Sequence, residues 1–191
     1  MNQTLVKPRG SGTRIGFAAV ALAMVTVACG GGSGGGDSLG TAGAAVPTAV
    51  PGHGDAVAAA QAFALFDGTP ATLATFGGSP LVLNFWASWC PSCVAEMSAA
   101  FRPVQEQVGD RVVFLGMNIQ DDRSDALELL AETDVQWISA EDADGSLYLE
   151  LGGIAMPFTV FISPEGEVLD THNGPLTESQ LRDRIADVLG V

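Results

Sequence analysis

The chain has 191 residues, 47% of them hydrophobic and 16% charged, which excludes a disordered acidic tail, because such tails are poor in apolar residues. At roughly 100–200 residues per domain, this length accommodates one folded domain. The formal charge of −14, from 22 acids against 8 bases, excludes the basic footprint of a nucleic-acid-binding surface.

Lys7, Arg9 and Arg14 fall within the first fourteen positions, so the rest of the chain carries five arginines against all 22 acids. Ile15 to Ala28 (IGFAAVALAMVTVA) is an uncharged run of fourteen. A spanning helix needs about 20 apolar residues, so the run has the length of a signal-peptide core. No twin arginine precedes it, which points to general secretion. Cys29 follows at once. Thr26-Val27-Ala28-Cys29 resembles a bacterial lipoprotein cleavage box, in which the chain is cut before the cysteine and the cysteine thiol takes a lipid; Thr26 stands where that box usually has Leu. The alternative is ordinary cleavage after Ala28, giving a soluble secreted protein with a free thiol. Of the three cysteines, Cys90 and Cys93 form a C-x-x-C pair and Cys29 is left over. An odd thiol on an exported protein is exposed to mispairing, and lipidation removes that hazard. The expectation is therefore a signal peptide over 1–28, a lipid on Cys29 that anchors the protein to the outer face of a bacterial cell membrane, and a Gly/Ala/Pro linker over 29–56. The folded domain occupies 57–191.

Within that domain, Phe63 to Phe66 followed by Asp67-Gly68 reads as a short strand and turn. Leu73 to Phe76 is too short to assign. Leu81 to Trp86 (LVLNFW) is a nearly continuous apolar run, as a central strand buried on both faces requires. A helix is predicted from Pro91 to about Val108, with Pro91 at its first position and a kink at Pro103. Arg111 to Ile119 reads as a second buried strand, Asp125 to Glu132 as a helix, and Ser146 to Leu151 as another stopped by Gly152-Gly153. Phe158 to Ile162 and Val168 to Thr171 are the arms of a hairpin around Ser163-Pro164-Glu165-Gly166. Thr177 and Gln180 form a capping box that opens the last helix. This order gives an α/β sheet covered on both faces. Trp137 and Phe158 are expected in the core, and His53 is expected to be solvated in the linker.

Two cysteines three positions apart, after a buried strand and at the opening of a helix, can close a small disulfide ring. Cys90 at the helix N-cap meets unpaired backbone N–H groups and the positive end of the helix dipole, which favour thiolate. Only thiolate attacks a disulfide, so Cys90 is the candidate nucleophile and Cys93, one turn inward, the resolving thiol. Zinc would need four ligands, and the two histidines, His53 and His172, lie far off in sequence. A purely structural disulfide over so short a loop contributes little entropy. A copper carrier would join Cys90 and Cys93 to His172. No resident metal and no organic cofactor is expected.

The segment Asn84-Phe85-Trp86-Ala87-Ser88-Trp89-Cys90-Pro91-Ser92-Cys93-Val94-Ala95-Glu96-Met97 resembles the active site of thioredoxin-fold proteins. It is most similar to the TlpA/ResA branch of membrane-tethered, extracytoplasmic thiol–disulfide oxidoreductases. Gly153-Ile154-Ala155-Met156-Pro157-Phe158-Thr159 and Gly174-Pro175-Leu176-Thr177 extend the likeness over about residues 60–190. The resemblance implies a thioredoxin-like α/β fold, a central mixed sheet flanked by helices with an added strand–helix insert at about Asp121 to Gly145. It implies a cis-proline at Pro157 and a client groove formed by Trp89, Met156 and Pro157. It assigns Glu96 to proton transfer beside the cysteines, the alternative being an exposed helix carboxylate. Asn84 stands where cytoplasmic thioredoxin has a buried aspartate, a departure that leaves Glu96 as the acid–base group. The implied partners are exported client proteins with cysteines, such as apocytochrome c, and a membrane electron-transfer protein. The implied direction is reduction of client disulfides. Two alternatives stay open: an oxidase that installs disulfides, and a non-enzymatic binding or metal-carrying module on the same fold.

Overall fold

The computed structural model describes residues 58–191, so the signal-peptide and linker segments and Cys29 lie outside the described residues. The centre of the sheet is β3 (Leu81–Trp86), buried at every position. Its odd positions (Leu81, Leu83, Phe85) pack into one core layer, and Val82 and Trp86 pack into the other. A strand covered on both faces has no reason to alternate apolar with polar residues, and the sequence of β3 does not. The exception is Asn84, a buried amide on the Val82–Trp86 face.

Around β3 the order is β2-β1-β5-β4-β3-β6-β7. β4 (Val113–Ile119) and β5 (Ile138–Asp142) continue the sheet in parallel on one side. β6 (Phe158–Ile162) and β7 (Val168–Asn173) form an antiparallel hairpin on the other. β1 (Phe63–Leu65) and β2 (Pro70–Ala71) pair antiparallel at the far edge, where β1 joins β5. β5 is thus the strand of the expected insert, placed between β4 and β1.

The helix predicted from Pro91 runs as α1 (Pro91–Glu96), a π-type turn at Met97–Phe101, and α2 (Arg102–Val108). Arg102 N–H donates to the Met97 carbonyl, five residues back, just before Pro103. Proline lacks the N–H that would continue the ladder, and the wider turn lets the helix pass it. The kink expected at Pro103 is thus a register change in the turn preceding it.

α3 (Arg123–Thr133) is capped by Asp122, which accepts from the Ser124 N–H at 2.8 Å. Trp137, just before β5, lies over Gly116 of β4. A Cβ on Gly116 would sit 2.4 Å from the indole, so only glycine allows this approach. The ring also meets Trp86 at 5.9 Å and Phe101 edge-on at 5.4 Å, as expected of a core residue. α4 (Ser146–Glu150) ends at Gly152, whose φ of +88° suits glycine. α5 (Glu178–Arg184) starts at Thr177 with the predicted capping box. The segment left unassigned, Leu73–Phe76, is one turn of 3-10 helix. Among the described residues no helix is long and apolar enough to cross a membrane.

Candidate active site

β3 ends at Trp86, and the chain turns through Ala87, Ser88 and Trp89 into the N-cap of α1. The cap is Cys90: its Sγ accepts from the Cys93 N–H at 3.3 Å. Cys90 and Cys93 are joined as a disulfide. A sulfur that receives a backbone N–H at a helix start is set to carry negative charge when the pair is reduced. Cys90 is more enclosed than a freely exposed cap, at 5% exposure, and Cys93 is fully enclosed, at 0%. Of the two, Cys90 is the less enclosed.

The Met156–Pro157 bond is cis, as the resemblance implied, and Met156 packs against the core cluster that includes Cys90 and Cys93. Ser92 Oγ lies 3.5 Å from both Cys90 Sγ and the Met156 carbonyl, so it connects the first turn of α1 to the proline loop. The Pro157 carbonyl accepts from Gly174 N–H at 2.8 Å, which attaches the loop to the end of β7. Trp89 is 59% exposed with its indole N–H donating to the Gln120 carbonyl at 3.1 Å, and Met156 is half-buried.

The turn before Cys90 is held by a group that sequence reasoning missed. Asp121 accepts from Ser88 N–H at 2.6 Å, Ser88 Oγ at 2.6 Å, Asn118 Nδ2 at 2.8 Å and Asp122 N–H at 3.0 Å. A carboxylate with four donors is a rigid anchor. The available signal was topological: β3 and β4 are parallel, so the residues after β4 arrive beside those after β3.

Glu96 is buried, at 3% exposure, which overturns the alternative of an exposed helix carboxylate. Its Oε1 accepts from Leu176 N–H at 2.6 Å and its Oε2 from Asn84 Nδ2 at 3.3 Å. Asn84 Nδ2 also donates to Thr159 Oγ1 at 3.1 Å. Burial pushes the Glu96 carboxyl up from its ordinary 4.5 to about 7, and the Leu176 and Asn84 hydrogen bonds oppose that rise. Asn84 therefore takes the aspartate's place as a neutral donor to a carboxylate on the neighbouring helix.

His172 lies on β7, its Nδ1 3.3 Å from Arg184 Nη2. It is not brought together with the cysteines, and among the described residues no three His, Cys, Asp or Glu side chains converge on a metal-sized site.

Residues 41–189 match the Redoxin family. The thiol:disulfide interchange protein DsbE of Pseudomonas fluorescens biotype C is 37% identical over 117 residues, covering 60% of this chain and 63% of that protein. DsbE of Escherichia coli K12 is 40% identical over 100 residues, 52% of each chain. The matches thus span about half to under two thirds of these relatives' length. Among solved structures, a secreted Mycobacterium tuberculosis disulfide oxidoreductase described as homologous to E. coli DsbE superposes with a TM-score of 0.60. It is 25% identical, over 66% of this chain and 95% of its own. The cysteine pair at a helix start, the cis-proline in the loop that Ser92 reaches and the mixed sheet agree with these matches: the chain belongs to the Redoxin family and has its thioredoxin-like fold.

Proposed function

We propose that the chain is an extracytoplasmic thiol–disulfide oxidoreductase that reduces disulfides in exported clients, with the cysteines of an apocytochrome c as the client type. The observation that carries this reading is the N-cap geometry, in which Cys90 Sγ receives the Cys93 N–H while Cys93 is enclosed. The interchange activity named for the DsbE relatives supports it.

In the reduced protein the Cys90 thiolate attacks one sulfur of a client disulfide. A Cys90–client mixed disulfide forms and the client's other sulfur leaves as thiolate, which takes up a proton. Cys93 then loses its proton and attacks Cys90 Sγ. The Cys90–Cys93 disulfide closes and the second client thiol departs. Two electrons have passed to the client, so a further dithiol partner on the membrane side must return two electrons before the next turn. Glu96, buried and near half-protonation at neutral pH, is the group suited to exchange a proton with the cysteines. Pro157, Met156 and Trp89 form the surface against which the client chain lies.

Equilibration with glutathione tests the direction. A reductant is expected to show a Cys90–Cys93 potential below about −200 mV, and the reduced protein is then expected to cleave insulin disulfides. A potential near about −120 mV would make the protein a disulfide donor instead. No exchange with either insulin or glutathione would point to the binding-module alternative.

Attachment to the membrane is proposed through a lipid on Cys29. The fourteen-residue apolar run before it and the odd cysteine count support this. In the native host Cys29→Ala is expected to move from the membrane to the soluble fraction. A soluble wild type whose mass shows no lipid would exclude the anchor.

A further inference from the structure

Among the exposed large hydrophobic residues, Ile154 is the most open, at 86% exposure. It begins the stretch that leads into the cis-proline, and its backbone is not free. The Ile154 N–H and the Ala155 N–H both donate to one atom, Asn173 Oδ1, at 2.9 Å and 3.1 Å. Both partners are donors, so the amide oxygen must face them, and the orientation of Asn173 follows. Asn173 closes β7 opposite Phe158, and the next residue, Gly174, holds the Pro157 carbonyl. On the other side the Tyr148 ring packs on Gly153, where a Cβ would lie 2.2 Å from it. Asn173 thus fixes the 154–155 end of the loop with Ile154 turned outward, while Ser92 meets its Met156 end.

We propose that Asn173 is a positioning residue for client binding, holding the 154–155 backbone so that Ile154 takes an apolar side chain of an extended client segment next to its cysteine. This rests on the exchange reading above. Ser92 connects this loop to Cys90, so a client chain whose sulfur engages Cys90 can run along it. Acids outnumber bases heavily in this protein, so an apolar contact there is the one that does not depend on the client's charge.

The test compares Asn173→Ala, Asn173→Asp and Ile154→Ser with the wild type. Insulin serves as protein client and glutathione disulfide as small substrate, and amide hydrogen exchange is read at Ile154 and Ala155. With the two hydrogen bonds removed, Asn173→Ala is expected to speed exchange at those amides and to raise KM for insulin, each by about tenfold. The change in kcat is expected to stay within about twofold, because the loop binds and does not react. Asn173→Asp retains an acceptor oxygen and is expected to restore both readouts. Ile154→Ser, on a side chain too exposed to unsettle the fold, is expected to raise KM for insulin while leaving the amide protection in place. In each weakened variant the loss toward insulin exceeds the loss toward glutathione disulfide. A wild-type KM for insulin in Ile154→Ser, or equal losses toward both substrates, overturns the inference alone. A wild type that reduces neither substrate overturns the exchange reading, and this inference with it.

Discussion

Cys90→Ser abolishes thiol–disulfide exchange, whereas Cys93→Ser accumulates mixed disulfides with clients: this asymmetry is the expected result with the largest effect. Both replacements break the same disulfide, so a structural role would make them equivalent. The exposures of 5% and 0% separate them. On the proposed mechanism, serine at Cys90 removes the attacking sulfur, and the more enclosed Cys93 is not expected to substitute for it. Serine at Cys93 leaves the first attack intact and removes the group that resolves it, so the intermediate persists. Non-reducing gels of both variants incubated with insulin distinguish the cases. Alkylation of the reduced wild type at mildly acidic pH provides a second reading, in which Cys90 is labelled first because the Cys93 N–H stabilises its thiolate. Preferential labelling of Cys93 would reverse the assignment.

The second large effect is expected from Glu96→Gln, in both stability and pH profile. The carboxyl is pushed from 4.5 to about 7 by burial. A group whose pKa is raised on folding binds more protons in the native than in the unfolded state between those values. Its stabilising contribution is therefore fully present below about pH 4.5 and is lost as pH rises through about 7. A shift of this size corresponds to roughly 3 kcal/mol across that window. The uncharged variant lacks this loss, so its stability relative to the wild type is expected to climb from pH 4.5 to 8 in urea unfolding. The amide oxygen still accepts from Leu176 N–H. The new amide nitrogen can donate to Asn84 Oδ1, which has no partner among the described residues, after that amide turns over. In the reduced protein the ionised carboxylate disfavours thiolate nearby, so the Cys90 pKa falls in the variant. Exchange slows near neutral pH nonetheless, because the leaving thiol loses a local proton source. Titration curves and exchange rates identical to the wild type would leave Glu96 as a buried structural acid only.

Sequence patterning revealed the elements that are closed by local rules. Six apolar-to-amide positions from Leu81 to Trp86, the Thr177–Gln180 capping box and Pro91 at the helix start each leave a short-range signature, and all three stand where predicted. β5 was harder to place. Ile138-Ser139-Ala140-Glu141-Asp142 is short and polar on one side, and it becomes a strand because β4 and β1 offer hydrogen-bonding edges to either side of it. β2 is held in the same way by its neighbour. At the site, the cysteines were legible through their C-x-x-C spacing, and Pro157 and Glu96 only through the family resemblance. Asp121, Ser92 and Asn173 were not, because what matters in each is a hydrogen bond to backbone or side chain brought close by tertiary contact. A single polar residue in a loop carries no periodicity that announces such a bond.

The two-residue strand at one edge of the sheet bears on the proposed exchange chemistry. On that proposal, attack on an extended client segment would tie unpaired backbone to the surface for as long as the mixed disulfide lasts. Exposed strand edges are templates for that kind of backbone. β2 offers only Pro70 and Ala71, and Pro70 has no N–H to donate. An extended segment arriving there finds neither the length nor the donors to add itself as another strand. At this edge the sheet is a poor template for adding a further strand.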